Sequence, residues 1–445
     1  MAKLFGTDGV RGIANKDLSA ELAFNLGYVG ASLLVPSGKK GKIVIGRDTR
    51  ISGDFLESAL ISGVCSAGVD VLRAGIIPTP AISYLTKDYS ADGGIVISAS
   101  HNPAEYNGIK FFGPSGFKIS DELEDEIEMK LDLDESAERP TGGDVGVVKE
   151  AADAKERYIE HAVGTIYGEL NGFRVVIDCA NGASYKVSPR ILRELGVNVL
   201  PLNTEPNGLN INEMCGSTYP ENIQEITRSH DVDLGLAHDG DADRVIAVDE
   251  KGNLVDGDFI MAICAVYLKE IGQLPKNTVV TTVMTNLGFD LAMRAKGINV
   301  IKTDVGDKYV LREMLRCGAV LGGEQSGHII FLKHNPTGDG IITALQLMNV
   351  IRDSGKKLSE LTSIMTRLPQ VLINVEVVDK DRLKGNINIW KTVEEAEKKL
   401  GEKGRILVRP SGTESLIRVM VESDTKKKAN IIAEEVADTV KKELS

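Results

Sequence analysis

Three aspartates at i, i+2 and i+4 in Asp239-Gly-Asp-Ala-Asp243 are the densest chemical signal in the chain. On an extended strand they would share one face, and in a tight loop they converge on a point. Carboxylates so close repel one another unless a cation sits among them, and an all-oxygen donor set favours Mg²⁺, Ca²⁺ or Mn²⁺. A calcium EF-hand competes with this reading, because Glu250 falls where that loop places its bidentate glutamate. Against it, Arg244 stands where the sharp turn needs glycine, and residues 234–237 and 245–248 on either side read as strands rather than helices.

Three further segments could carry chemistry. Ser98-Ala-Ser-His-Asn-Pro103 sets two serines beside a histidine, and its Asn-Pro step fixes the loop's exit. No Gly-x-Ser-x-Gly elbow surrounds either serine, so a hydrolase triad is not indicated. Gly323-Glu-Gln-Ser-Gly-His328 places a carboxylate, an amide, a hydroxyl and an imidazole where several sugar hydroxyls could be bound at once. Arg409-Pro-Ser-Gly-Thr413, followed by Arg418, combines guanidinium forks with hydroxyls and backbone N–H donors, the chemistry of a phosphate nest. If residues 409–418 form a hairpin, both arginines reach the same side. His161, His230 and His334 read as surface or structural residues.

Loops of this kind need rigid elements behind them. Short β-branched runs alternate with helical patterns, the form taken by βαβ units and a mostly parallel sheet. Strands are predicted at 42–46, 70–73 and 94–97 with a helix at 55–67. A second set has strands at 173–177, 197–200 and 233–237 with a helix at 189–195, and a third has strands at 278–283, 298–301 and 319–321 with a helix at 289–296. Each third strand runs into one of the polar loops. Ligands of parallel α/β sheets bind at the carboxyl ends of strands, so three equivalent ends imply one shared cleft.

From about residue 370 the texture changes. A strand at 371–377, a helix at 393–400, an antiparallel pair at 405–409 and 416–421 and a last helix at 427–443 make a compact α+β unit. The acidic run 121–135, with Leu123, Ile127 and Leu131 at helical spacing, reads as a solvated helix. Pro140-Thr-Gly-Gly-Asp behind it marks a first boundary.

Composition agrees with this organisation. The 445 residues are 42% hydrophobic and 26% charged, which excludes a disordered or fibrous chain, and 46 glycines suit many strand-to-helix turns. Lys plus Arg total 52 against 64 for Asp plus Glu, a net charge of −12 that argues against a fold-wide nucleic-acid surface. Cys65, Cys179, Cys215, Cys264 and Cys317 never form a C-x-x-C pair, which favours reduced thiols in a cytoplasmic protein. The apolar stretch 259–268 is too short to span a membrane, and no signal-peptide run opens the chain. No nucleic-acid or membrane partner is expected.

The four loops together resemble the α-D-phosphohexomutase family over nearly the whole chain and in the family's order. Within that family, Phe5-Gly-Thr-Asp-Gly-Val-Arg-Gly, the Gln325 form of the sugar loop and Thr303-Asp-Val-Gly-Asp-Lys-Tyr-Val are similar to the bacterial members that act on glucosamine phosphates. Phosphomannomutase/phosphoglucomutase members usually carry Met at that loop position. Ser415 replaces a common Pro and Lys308 a common Arg, departures that bear on local loop rigidity.

The resemblance implies a fold of three repeated α/β mixed-sheet domains plus a C-terminal α+β domain around a central cleft, divided at 1–150, 151–252, 253–368 and 369–445. It implies that Ser100 carries a phosphoryl group and that Ser100, Asp239, Asp241 and Asp243 hold one Mg²⁺. Glucosamine 6-phosphate and glucosamine 1-phosphate would interconvert through glucosamine 1,6-bisphosphate, supplying UDP-N-acetylglucosamine and cell-wall synthesis. His101, Lys110, His328 and Arg11 are the implied catalytic groups. Glu324, Ser326 and His328 would contact the sugar, Arg409, Ser411, Gly412, Thr413 and Arg418 its non-reacting phosphate, and Arg244 would support the metal loop. The C-terminal domain would swing in with substrate, and a homodimer is a possible assembly. The alternative within the family is the same chemistry on mannose or glucose phosphates. A metal-dependent phosphatase and a non-enzymatic binder are the readings outside it.

Overall fold

The run Gly93–Ile97 is buried at all of its positions, the signature of a central strand covered on both faces. In the computed structural model, which describes every residue except 1–3, 7, 37, 133–138, 412–415 and 445, this strand lies parallel to Lys42–Arg47 and antiparallel to Tyr106–Phe112. Lys42–Arg47 pairs in turn with Asp70–Ile76. The sheet therefore runs return strand, loop-bearing strand, first strand, second strand.

The same order recurs twice. In the second sheet it is Val245–Asp249, Leu234–His238, Arg174–Asp178, Asn198–Leu202. In the third it is Ile329–Phe331, Leu321–Gly323, Thr278–Thr282, Asn299–Thr303. Every polar loop joins the end of a parallel strand to an antiparallel return strand, which makes all three sheets mixed. Of the return strands, Val245–Asp249 matches the strand expected at 245–248, whereas Tyr106–Phe112 and Ile329–Phe331 lie so close behind their loops that they read as loop.

Two differences from the sequence expectations have local causes. Beyond the Pro140 stretch the chain returns to the first sheet, where Val148–Glu150 pairs parallel with Asp70–Ile76. That strand is three residues long and exposed throughout, too short for periodicity to reveal. The helix Leu287–Ala295 follows the first strand of the third repeat but belongs to another compact unit. One unit comprises Met1–Met284 with Ile298–Ser363, the other Thr285–Gly297 with Ile364–Ser445. Within the second unit, Glu422 accepts from the backbone N–H of Leu287 at 2.9 Å, and a Cβ at Gly288 would lie 2.0 Å from the carbonyl oxygen of Thr366.

In the first unit, helices Ala20–Leu34 and Gly53–Ser66 pack so closely that glycine is required at the contact. A Cβ on Gly63 would lie 2.0 Å from Phe24 O, and one on Gly27 2.3 Å from Leu60 O. Ile127 of the acidic helix Asp121–Asp132 is fully buried against this core, with Leu123 and Leu131 packed beside it. The second unit is the antiparallel sheet Gln370–Glu376, Leu416–Glu422, Arg405–Pro410 with helices Ile387–Leu400 and Lys426–Leu444. All five cysteines are free. Among the described residues no helix is long and apolar enough to cross a membrane.

His161 and His334 are structural. The His161 ring stacks on Tyr84 with centroids 3.9 Å apart, and its Nε2 lies 3.1 Å from the His334 carbonyl, so that nitrogen carries the proton. Burial lowers the pKa of His161, and burial with the nearby Lys333 lowers that of His334 to about 4. Between the ordinary histidine value and about 4 the unfolded chain then holds the extra protons, so these residues make stability fall as pH drops through that window. Asp339, raised to about 6 by burial, acts in the opposite sense, its contribution being lost as pH rises through that value. His334→Gln is expected to lose less stability than the parent between about pH 7 and about pH 5 in urea unfolding. An unchanged pH dependence would contradict this role.

Candidate active site

The loop after Gly93–Ile97 places Ser100 in the left-handed region at φ 51°, fully buried, with its hydroxyl donating to Asp239 Oδ2 at 2.6 Å. The loop after Leu234–His238 turns sharply, with Ala242 at φ 57°, and gathers Asp239, Asp241 and Asp243 so that one oxygen from each lies within 4.8 Å of the others. Serine and triad, 139 positions apart for Ser100 and Asp239, thus form one cluster inside the first unit.

Every polar neighbour of the triad has a traceable source. Asp239 Oδ1 accepts from the Arg244 backbone N–H at 3.2 Å. Asp241 Oδ2 accepts from Thr79 Oγ1 at 2.7 Å and faces Lys110 Nζ at 3.0 Å. Asp243 Oδ2 lies 3.5 Å from His328 Nδ1 and 3.8 Å from Lys110 Nζ. The Gly338 N–H donates to His328 Nε2 at 3.1 Å, which leaves the His328 proton on Nδ1, toward Asp243. Arg244 Nε stands 3.7 Å from Asp243 and 3.9 Å from Asp239, close enough for charge but not for a hydrogen bond.

The electrostatics follow from crowding three carboxylates in a dry site. Burial and then the charges of Asp243 and Asp241 push the Asp239 carboxyl well above its ordinary value. Burial acts the same way on Asp243, but His328, Lys110 and Arg244 overrule it and hold that carboxyl well below. Lys110 is raised despite burial by Asp241, Asp8 and Asp243, and His328 is raised despite burial by Asp243 and Asp307. His101 moves the other way: burial, Arg244 and Arg11 lower it to about 4, so it is neutral near pH 7. Its Nδ1 lies 3.4 Å from Ser100 Oγ.

The donor set fits a hard divalent cation. Asp241 Oδ1 and Asp243 Oδ1 are buried and accept no hydrogen bond, an arrangement that costs free energy unless something positive completes it. Three carboxylates and a serine oxygen are ligands of the type that Mg²⁺ takes.

The other expected residues are distributed as follows. Arg11 pairs with Asp8, and its Nε is buried without a hydrogen-bond acceptor. Glu324 accepts from the Gly306 N–H at 3.1 Å, whereas Ser326 is exposed. Gln325 donates to Asp256, the N-cap of helix Gly257–Glu270, at 3.3 Å. Lys308 pairs with Asp121 at 2.7 Å. In the second unit Arg409 and Arg418 are direct cross-strand partners, so both side chains emerge on one face, and the mutual charge adds to burial in lowering Arg409. Ser411 is buried, its carbonyl accepting from Lys380 Nζ at 2.8 Å. Gly412, Thr413 and Ser415 lie outside the described residues.

Sequence reasoning missed a second layer. Asp8 joins Lys110 at 2.8 Å and also pairs with Arg11 and Lys118, and Lys118 continues to Asp307. Asp8 and Asp307 belong to the segments that carry the family resemblance, but nothing in their spacing says that they meet. Thr79 carries no signal of any kind.

Comparison with known proteins places this geometry in a family. The phosphoglucomutase/phosphomannomutase domains match in order: alpha/beta/alpha domain I over residues 2–138, domain II over 156–252, domain III over 256–368, and the C-terminal domain over 372–439. A protein named phosphoglucosamine mutase from Desulforamulus reducens is 56% identical over 442 residues, covering 99% of both chains. One of the same name from Pelotomaculum thermopropionicum is 57% identical, covering 95% of both. A crystal structure of a phosphoglucomutase/phosphomannomutase family protein from Burkholderia thailandensis, 24% identical, superposes with a TM-score of 0.82 over 99% of this chain and 97% of its own. The chain belongs to the phosphoglucomutase/phosphomannomutase family, the α-D-phosphohexomutases.

Proposed function

We propose that this enzyme interconverts glucosamine 6-phosphate and glucosamine 1-phosphate, with Ser100 as phosphoryl carrier. The observation that carries the reading is the 2.6 Å contact of Ser100 Oγ with the buried aspartate cluster, in a chain whose relatives at 56% and 57% identity are phosphoglucosamine mutases. In the first half-reaction the 1-hydroxyl of glucosamine 6-phosphate attacks phosphoserine. The bond from phosphorus to Ser100 Oγ breaks as the bond to the sugar oxygen forms, giving glucosamine 1,6-bisphosphate. After reorientation the 6-phosphoryl group returns to Ser100 Oγ, leaving glucosamine 1-phosphate. In each half-reaction the attacking hydroxyl loses one proton and the departing oxygen gains one, first Ser100 Oγ and then the sugar 6-oxygen.

Asp239, Asp241, Asp243 and a phosphoserine oxygen would hold Mg²⁺. Bound there, the ion neutralises charge developing on the transferring phosphoryl group. Lys110, between Asp8 and Asp241, supplies positive charge rather than a base, since both carboxylates favour its protonated form. His101, neutral near pH 7, stands with Nδ1 at 3.4 Å from the Ser100 Oγ that carries the phosphoryl group. His328 and Arg244 orient Asp243 and the metal loop. Arg11 contributes charge beside Asp8. Glu324 and Ser326 are assigned to the sugar hydroxyls, and Arg409, Ser411, Gly412, Thr413 and Arg418 to the phosphate that does not react. A division at 1–150, 151–252, 253–368 and 369–445 is supported by the four matched family domains and by the Val148–Glu150 strand closing the first sheet. Free cysteines and a sugar-phosphate substrate favour the cytoplasm, and a homodimer is part of the proposal.

Substrate preference tests the reading. kcat/KM for glucosamine 6-phosphate is expected to exceed that for mannose 1-phosphate and glucose 1-phosphate by at least about tenfold, the size of discrimination that one substituent supports. A preference for either neutral hexose would assign the chain to the other branch of the family.

A further inference from the structure

Arg50 heads the fully buried side chains in size, and its guanidinium is saturated. Nε donates to Asp48 Oδ2 at 2.9 Å. Nη1 donates to the carbonyls of Pro103 and of Tyr106, the latter at 3.0 Å, and Nη2 to those of Ser100 at 3.0 Å and Asn102 at 2.8 Å. All five N–H groups therefore have an acceptor, four of them carbonyls of the segment that carries Ser100. Asp48 has a second connection to that segment. Its Oδ2 accepts from Ser98 Oγ at 2.6 Å, and Ser98 Oγ accepts in turn from the Ser100 N–H at 2.9 Å. Asn212 closes the far side, donating from Nδ2 to Ser100 O at 2.9 Å.

We infer that Arg50, with Asp48 and Ser98, positions Ser100 for phosphoryl transfer by clamping both the carbonyl and the amide of a residue held in the left-handed region. The inference rests on Ser100 being the phosphoryl carrier. A left-handed serine is an unfavoured conformer that persists only where its surroundings over-determine it, and here both backbone groups of Ser100 are engaged by neighbouring side chains. The result is a hydroxyl aimed at Asp239. A buried ion pair adds little to stability compared with apolar packing, whereas a planar five-donor fork fixes geometry, which a serine that must serve two in-line transfers requires. The ammonium of a lysine has three N–H groups and could not satisfy five acceptors. Arg50 and Asp48 lie in Gly46-Arg-Asp-Thr-Arg, just beyond the carboxyl end of the strand Lys42–Arg47, so the position of a parallel strand end was the available signal.

The test is a single-turnover measurement on the full-length protein with Mg²⁺. Enzyme carrying a radiolabelled phosphoryl group from glucosamine 1,6-bisphosphate is mixed rapidly with unlabelled glucosamine 6-phosphate, and loss of the label from the Ser100 peptide is followed. The rate constant is independent of the folded fraction, which a purely structural role would change. Arg50→Lys is expected to lower that rate constant by about 30- to 100-fold, the cost of a misplaced reacting group, with KM changed less than about threefold. Should Arg50→Lys not fold, Ser98→Ala carries the test, with a rate constant expected to fall about tenfold. A parental rate constant with a smaller amplitude would overturn the inference. A parent protein that turns over without phosphate on Ser100 would overturn the carrier reading instead.

Discussion

Ser100→Ala is expected to abolish interconversion, with kcat lower by at least about 10⁴-fold, the scale seen when the nucleophile of a covalent mechanism is removed. Alanine bears the same left-handed backbone strain as serine and is no larger, so the loop should keep its shape. What disappears is the oxygen that accepts the phosphoryl group and the 2.6 Å hydrogen bond to Asp239. The variant should still unfold cooperatively near the parent's midpoint and still respond to Mg²⁺ through the three aspartates. Activity of Ser100→Ala within about tenfold of the parent would place the carrier elsewhere. Steady release of inorganic phosphate by the parent at the isomerisation rate would indicate a phosphatase.

The second large effect concerns Asp239. Asp239 is crowded by the charges of Asp243 and Asp241, and their repulsion raises its carboxyl beyond the effect of burial, with the charge of Arg244 at 3.9 Å opposing it. Asp239→Asn should therefore stabilise the metal-free protein while removing its response to the ion. In the parent, Mg²⁺ at about 100 times its dissociation constant should add about 2.7 kcal/mol of stability, which EDTA reverses. In the variant that increment should vanish, and turnover should fall by at least about 10²- to 10³-fold, as when a preorganised electrostatic partner is lost. Differential scanning calorimetry with Mg²⁺ and with EDTA separates the two effects. Equal stabilisation of parent and variant by Mg²⁺ would rule out this site as the metal centre.

Much of this arrangement is legible in the amino-acid sequence. The Asp239, Asp241 and Asp243 spacing implies a convergent cluster, and the three repeats of strands and helices place their loops at equivalent strand ends. Local patterns suffice for both, because periodicity and turn residues act over a few positions. Two of the return strands are not legible, since Tyr106–Phe112 and Ile329–Phe331 follow their loops closely and look like loop continuation. Nor is the second layer. Lys110 meets Asp241 across 131 positions and Thr79 meets it across 162, and no spacing rule links residues so far apart. The Arg50 clamp escapes for a related reason, because a lone buried arginine cannot be told from a surface one until its acceptors are seen. The assignment of Leu287–Ala295 to the second unit likewise depends on contacts with Glu422 and Thr366, far along the chain.

Intact mass with peptide mapping after incubation with glucosamine 1,6-bisphosphate and Mg²⁺ tests the central claim most directly. One phosphate on the peptide that carries Ser100, still present after turnover of glucosamine 6-phosphate because each cycle restores it, is the predicted result. Continued turnover with no phosphate on that peptide would contradict it.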